Sequence, residues 1–260
     1  DVYKRQIIAA VSCIAAGAML MTGCSKSDKN KGSSDKTSSS VMNYTAPEEG
    51  EDIVVISVKD YGDIKIKLFD DLMPKACENF KTHASDGYYD NLIFHRVIDD
   101  FMIQGGDPLG TGTGGESIWG GSFDGGTSDK LLHLTGAVAY ANSGSTSTDG
   151  SQFYIVTGYQ SEELTDDVMS SISASYGKEF SDEEKKLYQE YGGSPFLDGN
   201  YTVFGQVIDG LDVAYKIAAT TEKDSNDKPN TDIVMSSVSV EKYDGSEIKW
   251  YKSDYDDIDK

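Results

Sequence analysis

Histidine, cysteine and proline are scarce in this 260-residue chain, with three, three and five copies. His83, His95 and His133 stand apart at no ligand spacing, so no metal centre is expected. Cys13 lies in an apolar run, Cys24 directly after it, and only Cys77 in the remainder, which excludes a disulfide framework and a zinc cluster. Five prolines against 27 glycines suit a turn-rich β fold better than a disordered chain or a helical bundle. Basic side chains are also few: 23 Lys plus Arg face 44 Asp plus Glu, a formal net charge of −21. A surface of that sign repels phosphate, so no nucleic-acid partner is expected, and its plain use is solubility. The apolar run 7–20 has 14 residues and falls short of the roughly 20 that a membrane-spanning helix needs. No G-x-S-x-G nucleophile elbow occurs.

What stands at the beginning is an address. Lys4 and Arg5 precede the run 7–20, which fits the apolar region of a signal peptide. The run ends in Met21-Thr22-Gly23-Cys24, which resembles a bacterial lipobox with Met21 in place of the usual Leu. The expectation is a signal peptide over 1–23 and a lipidated Cys24. An ordinary secretory peptide with an incidental cysteine is the alternative. The chain begins with Asp rather than Met, so a start farther upstream is expected. Residues 25–40 hold seven Ser, four Lys and no apolar side chain, and 24–50 read as a flexible linker between lipid and domain. The protein is thus expected outside the cytoplasm, tethered to the membrane, in a setting compatible with a Gram-positive-type surface.

From residue 51 the pattern becomes that of a folded domain, expected to run to 243 with an acidic tail over 244–260. Runs 53–58 and 64–69 are β-branched and separated by Tyr61-Gly62-Asp63, which reads as a hairpin. Pro74 can open a helix in which Ala76, Cys77, Phe80 and Ala84 share one face, with Cys77 as a small buried hydrophobe. Further strands are expected over 92–98, 101–104, 136–141, 152–157, 202–208 and 233–243, and a second helix over 211–219. Residues 105–126 hold ten glycines, which means an ordered loop or disorder. Gly110, Gly112 and Gly115 satisfy G-x-G-x-x-G, but no helix signal follows, so dinucleotide binding is not expected. Residues 161–193 carry nine acids and three bases and look like a helical insertion; Ser181 with Glu184 forms a capping box there.

The informative blocks are Phe94-His95-Arg96-Val97-Ile98, Phe101-Met102-Ile103-Gln104-Gly105-Gly106-Asp107, Ala141-Asn142, Gly150-Ser151-Gln152-Phe153-Tyr154-Ile155, Phe196-Leu197-Asp198-Gly199 and Val203-Phe204-Gly205-Gln206-Val207. In this order and spacing they resemble the cyclophilin family of peptidyl-prolyl isomerases, from about residue 53 to 240. The resemblance implies a mainly β fold: a closed eight-stranded antiparallel barrel capped by two helices, with the acidic insertion added. It implies a catalytic Arg96 and a proline pocket of Phe101, Met102, Tyr154 and Leu197. Gln104, Asn142 and Gln152 match positions that hold the peptide backbone, and Gly112, Ala141 and Ser143 line the groove. Three positions depart from the family's usual residues. Tyr154 stands for Phe, Phe196 for a common Trp, and Tyr201 for a common His at the rim. His95 reads as structural, and His83 and His133 as partly exposed bystanders.

Rotation about an X–Pro bond crosses a barrier of about 18–20 kcal/mol because twisting the amide destroys its resonance. No bond is made, so no cofactor, nucleophile or metal is needed. A guanidinium that donates to the lone pair of the twisted imide nitrogen favours that state over either planar form. The implied function is isomerisation of X–Pro bonds in unfolded or exported polypeptides, by a monomer. A peptide-binding holdase with a weak or dead site is the alternative, favoured by the insertion and by Tyr154.

Overall fold

The computed structural model describes residues 41–255. The expected signal peptide, Cys24 and the Ser/Lys-rich stretch to residue 40 lie outside the described residues. So does the end of the acidic tail, 256–260.

Eight strands form one sheet in which every pairing is antiparallel. They are β1 (Asp52–Val58), β2 (Gly62–Leu68), β3 (Arg96–Ile98), β4 (Met102–Gly105), β5 (Ala137–Tyr140), β6 (Phe153–Val156), β7 (Val203–Asp209) and β8 (Met235–Lys242), in the order β3-β4-β6-β5-β7-β2-β1-β8. The first hairpin turns through Asp60 and Gly62, both at positive φ, where glycine carries no Cβ penalty. Its register sets Val54 opposite Ile66 and Ile56 opposite Ile64, and all four side chains are fully buried.

The expected closed barrel is not formed: the sheet is a curled half-barrel with β3 and β8 as its edges. The two edges meet only ahead of both strands, through the single bridge Ile93–Val234 and its flanking bonds. Farther along, the free side of β3 is already occupied. Val97 N–H donates to Asp227 O, and Val97 O accepts from Lys223 Nζ, each at 2.9 Å. The loop that follows the last helix therefore takes the outward backbone groups of Val97.

Among the described residues four α-helices accompany the sheet: the two expected to cap it and two in the acidic insertion, which was expected to be helical. Helix α1 (Pro74–Ser85) begins with its proline at the first turn and buries Ala76, Cys77, Phe80 and Ala84 against β7 and β8. Burying a side chain such as Phe80 stabilises by roughly 1.5–3 kcal/mol. The acidic segment supplies α2 (Asp166–Tyr176) and α3 (Asp182–Tyr191). The Ser181–Glu184 capping box is present at the start of α3. Helix α4 (Leu211–Ala218) lies against β2, β3 and β4.

Residues 41–50, read above as linker, pack on the domain. Buried Asn43 donates to Leu132 O and Gln206 Oε1 and accepts from Leu132 N. Beyond β8, Ile248 and Trp250 cover a second apolar cluster of Ile53, Val55, Ile208 and Tyr243, so both faces of β1 are shielded. Among the described residues no helix is long and apolar enough to cross a membrane.

Candidate active site

A row of side chains crosses three strands. Arg96 opens β3 opposite Gln104 on β4, and Gln104 stands opposite Tyr154 on β6. Directly opposed residues of antiparallel strands project from the same face, so the three are neighbours by register. Arg96 is half-buried, and its Nη2 is buried with no hydrogen-bond partner among the described residues. A buried guanidinium donor left free is costly unless something else takes its proton.

Two amides stand beside it. Gln104 Nε2 donates to Gln152 Oε1 at 2.9 Å, and Gln152 Nε2 donates to Gly114 O at 2.8 Å. This chain joins the sheet to the glycine-rich loop, which is ordered around one carboxylate. Asp107 accepts backbone N–H bonds from Leu109, Thr111, Gly112 and Thr113. Burial raises the Asp107 carboxyl pKa, but the backbone donors outweigh it and hold it below the ordinary value. Gly112 sits at φ +82° beside the His95 ring. No helix follows these glycines, in keeping with the rejection of a dinucleotide motif.

An apolar group lies alongside. Phe101 and Met102 are buried, and the Phe101 ring lies 5.6 Å from that of Phe196. Phe196 and Leu197 are carried on a short turn, Pro195–Leu197, and both are buried. Tyr201 is half-buried with its ring 5.9 Å from Tyr154. Burial raises the Tyr201 pKa while the charge of Arg96 opposes the shift, which places the two in electrostatic reach.

Ala141, Asn142 and Ser143 follow β5. Ala141 N–H donates to Gln152 O, Asn142 Nδ2 donates to Asn200 O, and Ser143 N–H donates to Thr148 Oγ1. The structure thus gathers Arg96, Gln104 and Tyr154 in one row, with Gln152 bonded to Gln104 and Tyr201 in ring contact with Tyr154, while Phe101 and Phe196 pair with each other. Ser143 is exposed and turned toward its own loop, and Gly112 belongs to the Asp107 loop.

Two expectations about histidine fail. His83 is buried and its Nε2 lies 2.9 Å from Glu116 O, because α1 packs that face inward. His133, only 1 % exposed, lies behind the pocket, with Nε2 3.0 Å from the Tyr154 hydroxyl and Nδ1 2.8 Å from Asp198 Oδ1. The extra hydroxyl of Tyr154 is therefore bonded to the interior. His133, Asp198 and Tyr188 were not among the expected site residues; a buried tyrosine hydroxyl that needs a partner was the one signal that could have found them. His95 is buried, and burial pushes its pKa down, so the ring next to Arg96 adds no competing charge. No cluster of His, Cys, Asp or Glu among the described residues could hold a metal ion.

Comparison with known proteins agrees with this geometry. Residues 53–240 match the family model for cyclophilin-type peptidyl-prolyl cis-trans isomerases. A protein of Staphylococcus aureus (strain USA300), provisionally named a peptidyl-prolyl cis-trans isomerase, is 46% identical over 195 residues, 75% of this chain and 94% of its own. One from Staphylococcus haemolyticus, named in the same way, is 44% identical over 193 residues, 74% of this chain and 93% of its own. A cyclophilin-type isomerase of Cryptosporidium parvum, crystallised in the presence of the dipeptide Ala-Pro, has a TM-score of 0.57 and 33% identity, covering 73% of this chain and 98% of its own. With a family match across the whole sheet and relatives that align over nearly their full length, the chain belongs to the cyclophilin-type peptidyl-prolyl cis-trans isomerases and is an enzyme of that class.

Proposed function

We propose that this chain isomerises X–Pro bonds in proline-containing, exported polypeptides, with Arg96 as the group that favours the twisted amide. The observation that carries the reading is the buried, unpartnered Nη2 of Arg96, set in one row with Gln104 and Tyr154. Phe101 and Met102 offer an apolar seat for the pyrrolidine ring, with Leu197, Phe196 and Tyr201 as its surroundings. Gln104, Gln152 and Asn142 hold the peptide backbone, so that rotation is confined to one bond. Arg96 then donates to the imide nitrogen as it becomes pyramidal, an interaction absent in both planar forms. The guanidinium stays charged at any working pH, so the step needs no proton transfer.

The wider setting is part of the same proposal. Cys24 carries a lipid, the stretch to residue 40 acts as a tether, and the domain works as a monomer outside a Gram-positive-type membrane. The sequence Met21-Thr22-Gly23-Cys24 after an apolar run supports this.

A protease-coupled assay on an Ala-Pro peptide tests the chemistry: the full chain accelerates the slow, cis-limited phase. Suppressed aggregation of an unfolded client with no acceleration would instead establish the holdase reading. Labelling cells with a radioactive fatty acid tests the tether, since wild type takes up label and Cys24→Ala does not. Equal labelling of the two would place any lipid elsewhere.

A further inference from the structure

The acidic insertion reaches the pocket by two routes inside the protein. In the first, the Tyr188 hydroxyl of α3 donates to Asp198 Oδ2 at 2.7 Å. Asp198 Oδ1 accepts from the backbone N–H of His133 and from its Nδ1, each at 2.8 Å. His133 Nε2 accepts from the Tyr154 hydroxyl at 3.0 Å. The arrangement that satisfies every group puts the ring proton on Nδ1, toward Asp198. Tyr188, Asp198, His133 and Tyr154 are all buried, and Lys178, on the turn between α2 and α3, brings its Nζ to 3.6 Å from Asp198 Oδ2. In the second route, Tyr176 at the end of α2 lies with its ring 5.5 Å from that of Phe196, which in turn contacts Phe101.

We propose that Tyr188 is a positioning residue for the prolyl pocket, acting through Asp198 and His133 on Tyr154. The inference rests on the isomerase reading above and goes beyond it, because it makes a segment outside the groove part of the pocket's support. The residue at the pocket floor is not an isolated apolar ring. Its hydroxyl is the end of a chain of hydrogen bonds whose other end lies in the insertion. Both oxygens of Asp198 are engaged, one by the insertion and one by His133, so the carboxylate has little freedom to turn. Release one oxygen and His133, with Tyr154 behind it, regains that freedom.

Tyr188→Phe keeps the ring and removes the hydroxyl. The expected result is a rise of about tenfold in KM for an Ala-Pro peptide, with kcat within about twofold, because the floor grips the ring in planar and twisted states alike. A purely structural loss behaves otherwise: it lowers the folded fraction, and with it kcat per mole of chain, and leaves KM alone. Tyr154→Phe should raise KM similarly, and the double variant should be no worse than either single one, since both cut the same chain of bonds. Lys178→Met, with a partly exposed side chain, should move KM less in the same direction. An active wild type with unchanged KM in Tyr188→Phe overturns the proposal, and so does a strictly additive double variant. If Tyr188→Phe does not fold, Lys178→Met and Tyr154→Phe carry the test, and unchanged KM in both overturns it. A wild type without isomerase activity is a different failure: the isomerase reading falls first, and this proposal with it.

Discussion

Thr202 has one hydroxyl hydrogen and two acceptors in reach, Gly126 O at 2.8 Å and Asp149 Oδ2 at 2.5 Å. The hydroxyl donates to both, its one hydrogen shared between them. Burial pushes the Asp149 carboxyl up from its ordinary 3.8 to about 7, against hydrogen bonds from Thr202 and Asn142 that lower it. The folded chain therefore keeps a proton that the unfolded chain releases at lower pH. Stability falls as pH rises from about 4 to about 7, and the penalty is complete above that range. Asp149→Asn is uncharged at every pH and escapes that penalty. The variant should melt higher than wild type at alkaline pH, with the difference vanishing toward pH 4. A melting difference that does not change with pH would contradict this. Arg96, Gln104, Gln152 and Tyr154 lie in linear blocks, and register brings them together as the blocks imply. His133 was out of reach because its partners, Tyr154 and Asp198, lie 21 and 65 positions away and only packing joins them. Tyr188 is only 10 residues from Asp198, but a tyrosine on a charged helix gives no sign of which way it faces.

At the scale of elements, the insertion is pinned where its ends meet. Tyr159 and Gly193 exchange two backbone hydrogen bonds of 3.0 Å, and Gly193 also bridges to Leu134. Gly193 has φ +133°, and a Cβ there would sit 2.3 Å from His133 O. Gly193→Ala combines that clash with backbone strain of roughly 1–3 kcal/mol, and should shift the urea midpoint down without changing its slope. An unchanged midpoint would show that this junction is not under constraint. The helices of the insertion were legible from the Ser181–Glu184 box and the run of acids, but the inward course of Tyr176 and Tyr188 was not. All eight strands were visible in the β-branched runs. The open edge was not, because β3 and β8 meet only at the Ile93–Val234 bridge, a contact between residues 141 positions apart.

At the scale of the whole molecule, the net charge of −21 sets how partners approach. A negative surface speeds encounters with basic peptides and slows those with acidic ones, and salt removes both effects. A Lys-rich X–Pro peptide should therefore show a higher kcat/KM than a neutral one at about 0.01 M ionic strength, with the two converging near about 1 M. An advantage that survives high salt would point to specific contacts instead. The central claim remains Arg96, and one comparison bears on it most directly. Wild type and Arg96→Ala are assayed on the same Ala-Pro peptide, with circular dichroism and melting confirming that both are folded. Losing a donor that acts mainly in the transition state costs about 2.7–4 kcal/mol, so kcat should fall by about 10²–10³ with the fold intact. A folded Arg96→Ala that retains the wild-type rate would contradict the account.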